Sequence, residues 1–230
     1  MEAATHPSQS ITVARFRTPR AAAVAGVFFS VLLMTAFVLA RLSVPLDPLD
    51  RGEWLKTDIT RVTIALNLVP FAGIAFLWFM GVLRARLADL ENRFFATVFL
   101  GSGLLFLGML FTGAAVIGAI ILVHIGEHEP LVSAGSFAIA RALGYALVNL
   151  YAIKMAAVFM FVTSIIVIGT KLVARWIALL GFGLAPFLLF GSWLTRWSIL
   201  VFPAWVLVVS LYILIDNLSR APGEDEGNPC

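Results

Sequence analysis

The stretch Ser136–Leu172, SFAIARALGYALVNLYAIKMAAVFMFVTSIIVIGTKL, decides how the chain is read. It is 37 residues long and apolar almost throughout, with Arg141 and Lys154 inside it and Lys171 near its end. A helix rises about 1.5 Å per residue, so roughly 20 residues cross a bilayer core of about 30 Å. The stretch therefore reads as a membrane helix with length to spare, carrying two cations that need an explanation.

Five more apolar runs lie on either side. Ala21–Ala40 is bounded by Arg20 and Arg41, Val62–Leu83 by Arg61 and Arg84, and Phe94–Val123 by Arg93 and His124. Trp176–Thr195 and Trp197–Ile215 flank Arg196. The composition agrees: of 230 residues, 61% are hydrophobic and 13% charged, which is not the balance of a soluble domain. The expectation is an all-α polytopic membrane protein of six transmembrane helices occupying residues 20–216. Residues 1–19 read as a disordered N-terminus, and residues 217–230 as a disordered acidic tail holding Glu224, Asp225 and Glu226. The apolar run after Arg20 is longer than a signal-peptide core and lacks a clear cleavage site, so it reads as a retained helix.

Loop charges set the threading. Nine Lys and Arg fall on the side of the N-terminus and five on the other, leaving Arg141 and Lys154 aside. Positive residues accumulate on the cytoplasmic side, so both termini are expected in the cytoplasm. The Arg-, Ala- and Gly-rich composition points to a high-GC bacterium and its cytoplasmic (inner) membrane. The cations form no clustered basic face, so nucleic acid is not an expected partner; the lipid bilayer is.

Depth separates the two cations. Lys154 lies 17 residues before the interfacial Lys171, which is about 25 Å along a helix and within snorkelling range of the outer interface. Arg141 lies about 45 Å from Lys171, beyond the core. Tyr145 and Asn149 share its side of the helix. Arg141 is expected to pair with a loop, Glu127 or Glu129 being the nearest acids in sequence. The apolar residues 137–152 then lie outside a core of Met155–Thr170, and span three has a similar excess. Spans three and four are therefore expected to project together as a hairpin beyond the outer face, or to break near it. The 42–60 loop, a membrane protein partner or a second copy of the chain would cover the apolar surface.

That loop holds Pro45, Pro48, four acids and Trp54. An interfacial helical turn is expected at Gly52–Asp58, with Trp54 facing lipid.

Four further patterns bear on function. His124, Glu127 and His128 fit the H-x-x-E-H arrangement in which two histidines on one helix face share a zinc ion beside a glutamate base. Gly126 and Pro130 place the motif at a helix end instead, where it reads as a polar cap. Asn67 and Pro70 in span two, and Pro186 in span five, mark positions where a helix loses a backbone donor and can open a transport site or merely kink. Leu68–Phe71 (LVPF) and Leu184–Phe187 (LAPF) occupy corresponding places if the two three-helix halves are inverted repeats, the pattern of some secondary transporters. Gly101, Gly108 and Ala115 recur every seven residues along span three and suggest a seam for close helix packing.

No P-loop, GxSxG or CxxC motif occurs, and Cys230 is the sole cysteine, so no catalytic residue and no cofactor is expected. The spans lack Asp and Glu, which proton-coupled pumps generally need. The leading expectation is a non-enzymatic accessory, assembly or scaffold component. A small transporter or channel using Asn67, Pro70, Arg141, Tyr145, Asn149, Lys154 and Pro186 comes second, and a metal-dependent membrane hydrolase third.

The segments LVPFAGIAFLWF (68–79), ENRFFATVFLGSG (91–103) and ARWIALLG (174–181) resemble multi-pass membrane proteins of high-GC bacteria. The resemblance implies membrane placement and carries no activity with it.

Overall fold

The computed structural model describes residues 19–45, 52, 54–87, 93–126, 135–170, 174–195 and 197–219. Every element among them is helical. Helix α1 spans Pro19–Ser43, a single turn α2 spans Trp54–Thr57, and α3 spans Ile59–Leu87. Helix α4 spans Arg93–Gly126 and α5 Gly135–Ala146. A π-helical turn, Leu147–Ala152, joins α5 to α6, Ile153–Thr170. Helix α7 spans Arg175–Phe190, two short 3-10 turns follow, and α8 spans Val201–Ser219.

Five of these segments are long and apolar enough to cross a membrane, α5 through α6 counting as one segment of 35 residues, Gly135–Gly169. Helix α7 is the exception to the six-run reading. It ends at Phe190, and its 16 residues reach about 24 Å, short of a bilayer core. The run counted through Thr195 contains Gly191, after which the chain tightens into a 3-10 turn. Pro203 lies in the first turn of α8, where its missing N–H has no helical partner to lose.

Helix α1 packs between α3 and α8, while α6 packs between α7 and α4. The pattern maps onto itself when the first three long helices are exchanged for the last three. Each half's first helix contacts its own second helix and the other half's third.

Aromatic rings fill the space between the helices. Phe76 of α3 sits within ring-contact distance of Phe29 (4.6 Å), Phe159 (5.1 Å), Phe106 (5.5 Å), Phe202 (5.8 Å) and Phe79 (6.2 Å). Edge and tilted ring pairs exploit the quadrupole as well as contact area. In lipid, where burial from water adds little between helices, such packing is what associates them.

Close backbone approach occurs on a different face of α4 from the expected seam. A Cβ at Gly101 or Gly108 would meet nothing within 4 Å, and Gly108 and Ala115 are exposed. The contact residues are Gly103, against Met80 and Phe159, and Gly113. A Cβ at Gly113 would lie 2.5 Å from Val148, and one at Gly144 would lie 3.2 Å from Ile117. A seven-residue spacing identifies a stripe, but it does not say whether the stripe faces inward. The Phe99, Phe106 and Leu110 stripe takes the inner face instead.

Spans three and four do not break. Helix α4 runs 34 residues unbroken, and the π turn carries the fourth span through without interruption. Their ends beside the 42–60 loop are covered. Trp54 and Leu55 of α2 pack with Val62, Ile120, Ile121 and Phe137 in a second apolar cluster, separate from the aromatic core. Trp54, expected to face lipid, is only 4% exposed. The two prolines and four acids around it made the loop read as an interfacial turn; the apolar ends of α4 and α5 offered Trp54 a better surface. Gly52 makes the turn possible with φ at 78°, a left-handed conformation, while its carbonyl accepts from the Leu55 N–H at 3.0 Å. A Cβ there would also press against Phe137.

Candidate functional site: a cavity beside the 42–60 loop

Arg141 pins the start of the 42–60 loop, and Arg41 ties the end of α1 to the π turn. Arg141, on α5, donates from Nη2 to the carbonyl of Pro45 at 3.0 Å. Arg41, in the last turn of α1, donates from Nη2 to Oδ1 of Asn149. Asn149 in turn donates from Nδ2 to the carbonyl of Tyr145 at 3.1 Å. Arg141, Tyr145 and Asn149 thus form one side of the fourth span, and the π turn sets the rotation at which Asn149 is presented. Single π turns widen a helix locally and recur at functional sites.

Arg141 is only 6% exposed, so a charge expected outside the core is enclosed by protein. One of its acceptors is the Pro45 carbonyl at the start of the 42–60 loop; Glu127 and Glu129 lie outside the described residues. A guanidinium suits such a place because it spreads its charge and offers five donors in a planar fork.

Around these groups lies a partly open cavity of about 120 Å³. Arg41, Trp54, Arg141, Tyr145 and Asn149 contribute its polar groups, and Phe37, Val62, Leu66, Ile117 and Val148 are among its apolar walls. Among the described lining residues there are two cations and no carboxylate. The indole Nε1–H of Trp54 is buried without a hydrogen-bond partner. A buried donor left unsatisfied costs about 1–3 kcal/mol, and the Ser43 hydroxyl is likewise buried without a partner.

The cavity gathers three of the sequence candidates, Arg141, Tyr145 and Asn149, and leaves out the rest. Asn67 is exposed and spends its amide N–H on the Thr63 carbonyl at 2.8 Å. Pro70 and Pro186 are exposed on helices that continue through them. Lys154 is half-buried one turn beyond Asn149 and does not line the cavity. His124 is half-buried near the end of α4, and Glu127 and His128 lie outside the described residues. Among the described residues, no three His, Cys, Asp or Glu side chains come together in a way that could hold a metal ion.

Arg41 and Trp54 were missed as site residues. Arg41 read as a charge marking the end of a span, and Trp54 as a lipid anchor. The available signal was Asn149, a polar residue on the same helix side as Arg141.

Helices of this length and hydropathy define the class: an all-helical protein of the multi-pass membrane type. The chain matches no known family model, no curated protein and no solved structure. Its function must be argued from its own residues.

Proposed function

We propose that this protein crosses the bacterial cytoplasmic membrane six times, α7 completing its crossing with the turns that follow it, and keeps both termini in the cytoplasm. The nine-to-five distribution of loop cations supports that orientation. Its role is non-enzymatic: an accessory, assembly or scaffold component that presents a preformed outer face to a membrane partner or to a second copy of itself. The carrying observation is the interior. Phe29, Phe76, Phe106, Phe159 and Phe202 fill the space between the helices with ring-to-ring contacts, which suits a rigid body.

A small transporter remains the second reading because of the symmetric packing of the halves, which is the arrangement of inverted-repeat carriers. The outward placement of Pro70 and Pro186 moves any such pathway away from those two positions.

Purification of the full chain in a mild detergent tests the role. A stoichiometric membrane partner or a defined oligomer is the expected result. Recovery of a monomer alone, together with solute flux in proteoliposomes, would replace the accessory role with transport.

A further inference from the structure

We propose that the cavity beside the 42–60 loop binds a neutral membrane amphiphile, its carbonyl oxygen accepting from the Trp54 indole N–H and its first carbons packed against Phe37, Val148 and Ile199. Trp54 sets the polar end. It is 4% exposed, lines the cavity and has no hydrogen-bond partner at Nε1. Buried donors in folded proteins are nearly always paired. An indole N–H donates and never accepts, so the group that completes it is an acceptor.

The apolar end follows from how the cavity continues. Phe37, Val148 and Ile199 line it and also line a second space of about 10 Å³ toward the aromatic core. Phe106, Ala152, Ala156 and Phe202 wall that inner space, which lengthens the apolar surface without room for a second ligand. Along the fourth span the two linings run from Arg141 to Ala156, about 22 Å of helix. The site is thus elongated, polar toward Trp54 and apolar toward Phe202. The main space of about 120 Å³ is near the roughly 150 Å³ of an apolar cavity that takes benzene. It admits a ring or the first carbons of a chain, and a longer tail leaves through the open side.

Neutrality follows from the same walls. A charged head would lose its hydration against Phe37, Val62 and Leu66, which a carbonyl does at far smaller cost. Arg41 and Arg141 already donate to Asn149 and to the Pro45 carbonyl, and a neutral ligand needs no further charge from them. Two membrane sources carry this chemistry: the ester of an acyl lipid and the ring carbonyl of a quinone. The site depends on membrane placement and not on the accessory role, so the failure of either reading leaves the other standing.

The test is thermal unfolding of the purified full chain in a neutral detergent. Four additives are compared at equal concentration: methyl oleate, decylubiquinone, oleate and octadecene. Methyl oleate or decylubiquinone is expected to raise the midpoint by several degrees, and the larger response assigns the acyl ester or the quinone ring. Oleate and octadecene are expected to give less than half that shift. Trp54→Phe keeps a ring and removes the donor. It is expected to match or exceed the parent without additive, yet lose half or more of the shift. Ala40→Leu, which adds bulk to the cavity wall, is expected to lose as much. No shift with either carbonyl compound would overturn the proposal and leave the cavity to water. A full shift in either variant would overturn the site. An equal shift with octadecene would overturn the acceptor, and an equal shift with oleate would overturn the neutral head.

Discussion

Arg141 and Pro45 are 96 positions apart in sequence, and the guanidinium of one holds the carbonyl of the other at 3.0 Å. The bond fastens the start of the 42–60 loop to the first half of the fourth span. It also gives a cation enclosed by protein in an apolar stretch a backbone carbonyl as acceptor.

Replacing Arg141 should loosen the loop. Arg141→Gln is expected to lower stability by about 1.5–3 kcal/mol, the usual contribution of a hydrogen bond to a charged group. Arg141→Lys should recover only part of the loss because an ammonium lacks the planar fork. Thermal unfolding in detergent, with cysteine accessibility in the 42–60 loop as a second readout, checks both.

Arg41 and Asn149 should behave as a coupled pair. A double-mutant cycle with Arg41→Gln and Asn149→Leu is expected to give an interaction of about 0.5–3 kcal/mol, since the two side chains touch directly. Additive losses would mean that the π turn positions Asn149 for something other than Arg41.

The aromatic centre should be the most sensitive part of the body. Phe76→Ala is expected to cost about 3–5 kcal/mol, because five neighbouring rings cannot close the void. Trp78→Ala, two residues on and exposed on the same helix, should change stability by about 0.5 kcal/mol or less. Unfolding midpoints of the two variants give the comparison.

Two glycines of α4 should separate cleanly. Gly113→Val drives a side chain into Val148 and is expected to destabilise by about 1–3 kcal/mol. Gly108→Ala meets nothing within 4 Å and should be neutral or stabilising by about 0.5–1 kcal/mol through helix propensity. A large loss at Gly108 would show that this outer strip is covered by another chain, and sedimentation of the parent and variant would reveal it.

The helices were legible because crossing length and apolar composition are properties of the linear chain. The expected runs from Val62 and from Phe94 lie inside α3 and α4, which extend each by only a few residues. What the chain did not display was direction around the helix axis. Gly101, Gly108 and Ala115 made a regular stripe, but inward facing was decided by where Phe99, Phe106 and Leu110 could meet other rings. The π turn was also hidden, since LVNLYA contains neither proline nor glycine. Half of the candidate site was visible: Arg141, Tyr145 and Asn149 share a side by spacing alone. Arg41 and Trp54 reach it through tertiary contacts between distant segments, and local composition pointed Trp54 toward lipid.

The central claim is an outward-facing loop folded down as a cap, on a body whose C-terminus is cytoplasmic. Labelling with a membrane-impermeant maleimide on spheroplasts tests it most directly, with single cysteines at the exposed Thr57 and the buried Leu55 in a Cys230→Ser background, and the native Cys230 measured alone. The account predicts rapid external labelling of Thr57→Cys, strong protection of Leu55→Cys, and labelling of Cys230 only after permeabilisation. External labelling of Cys230, or equal rates at positions 55 and 57, would contradict it.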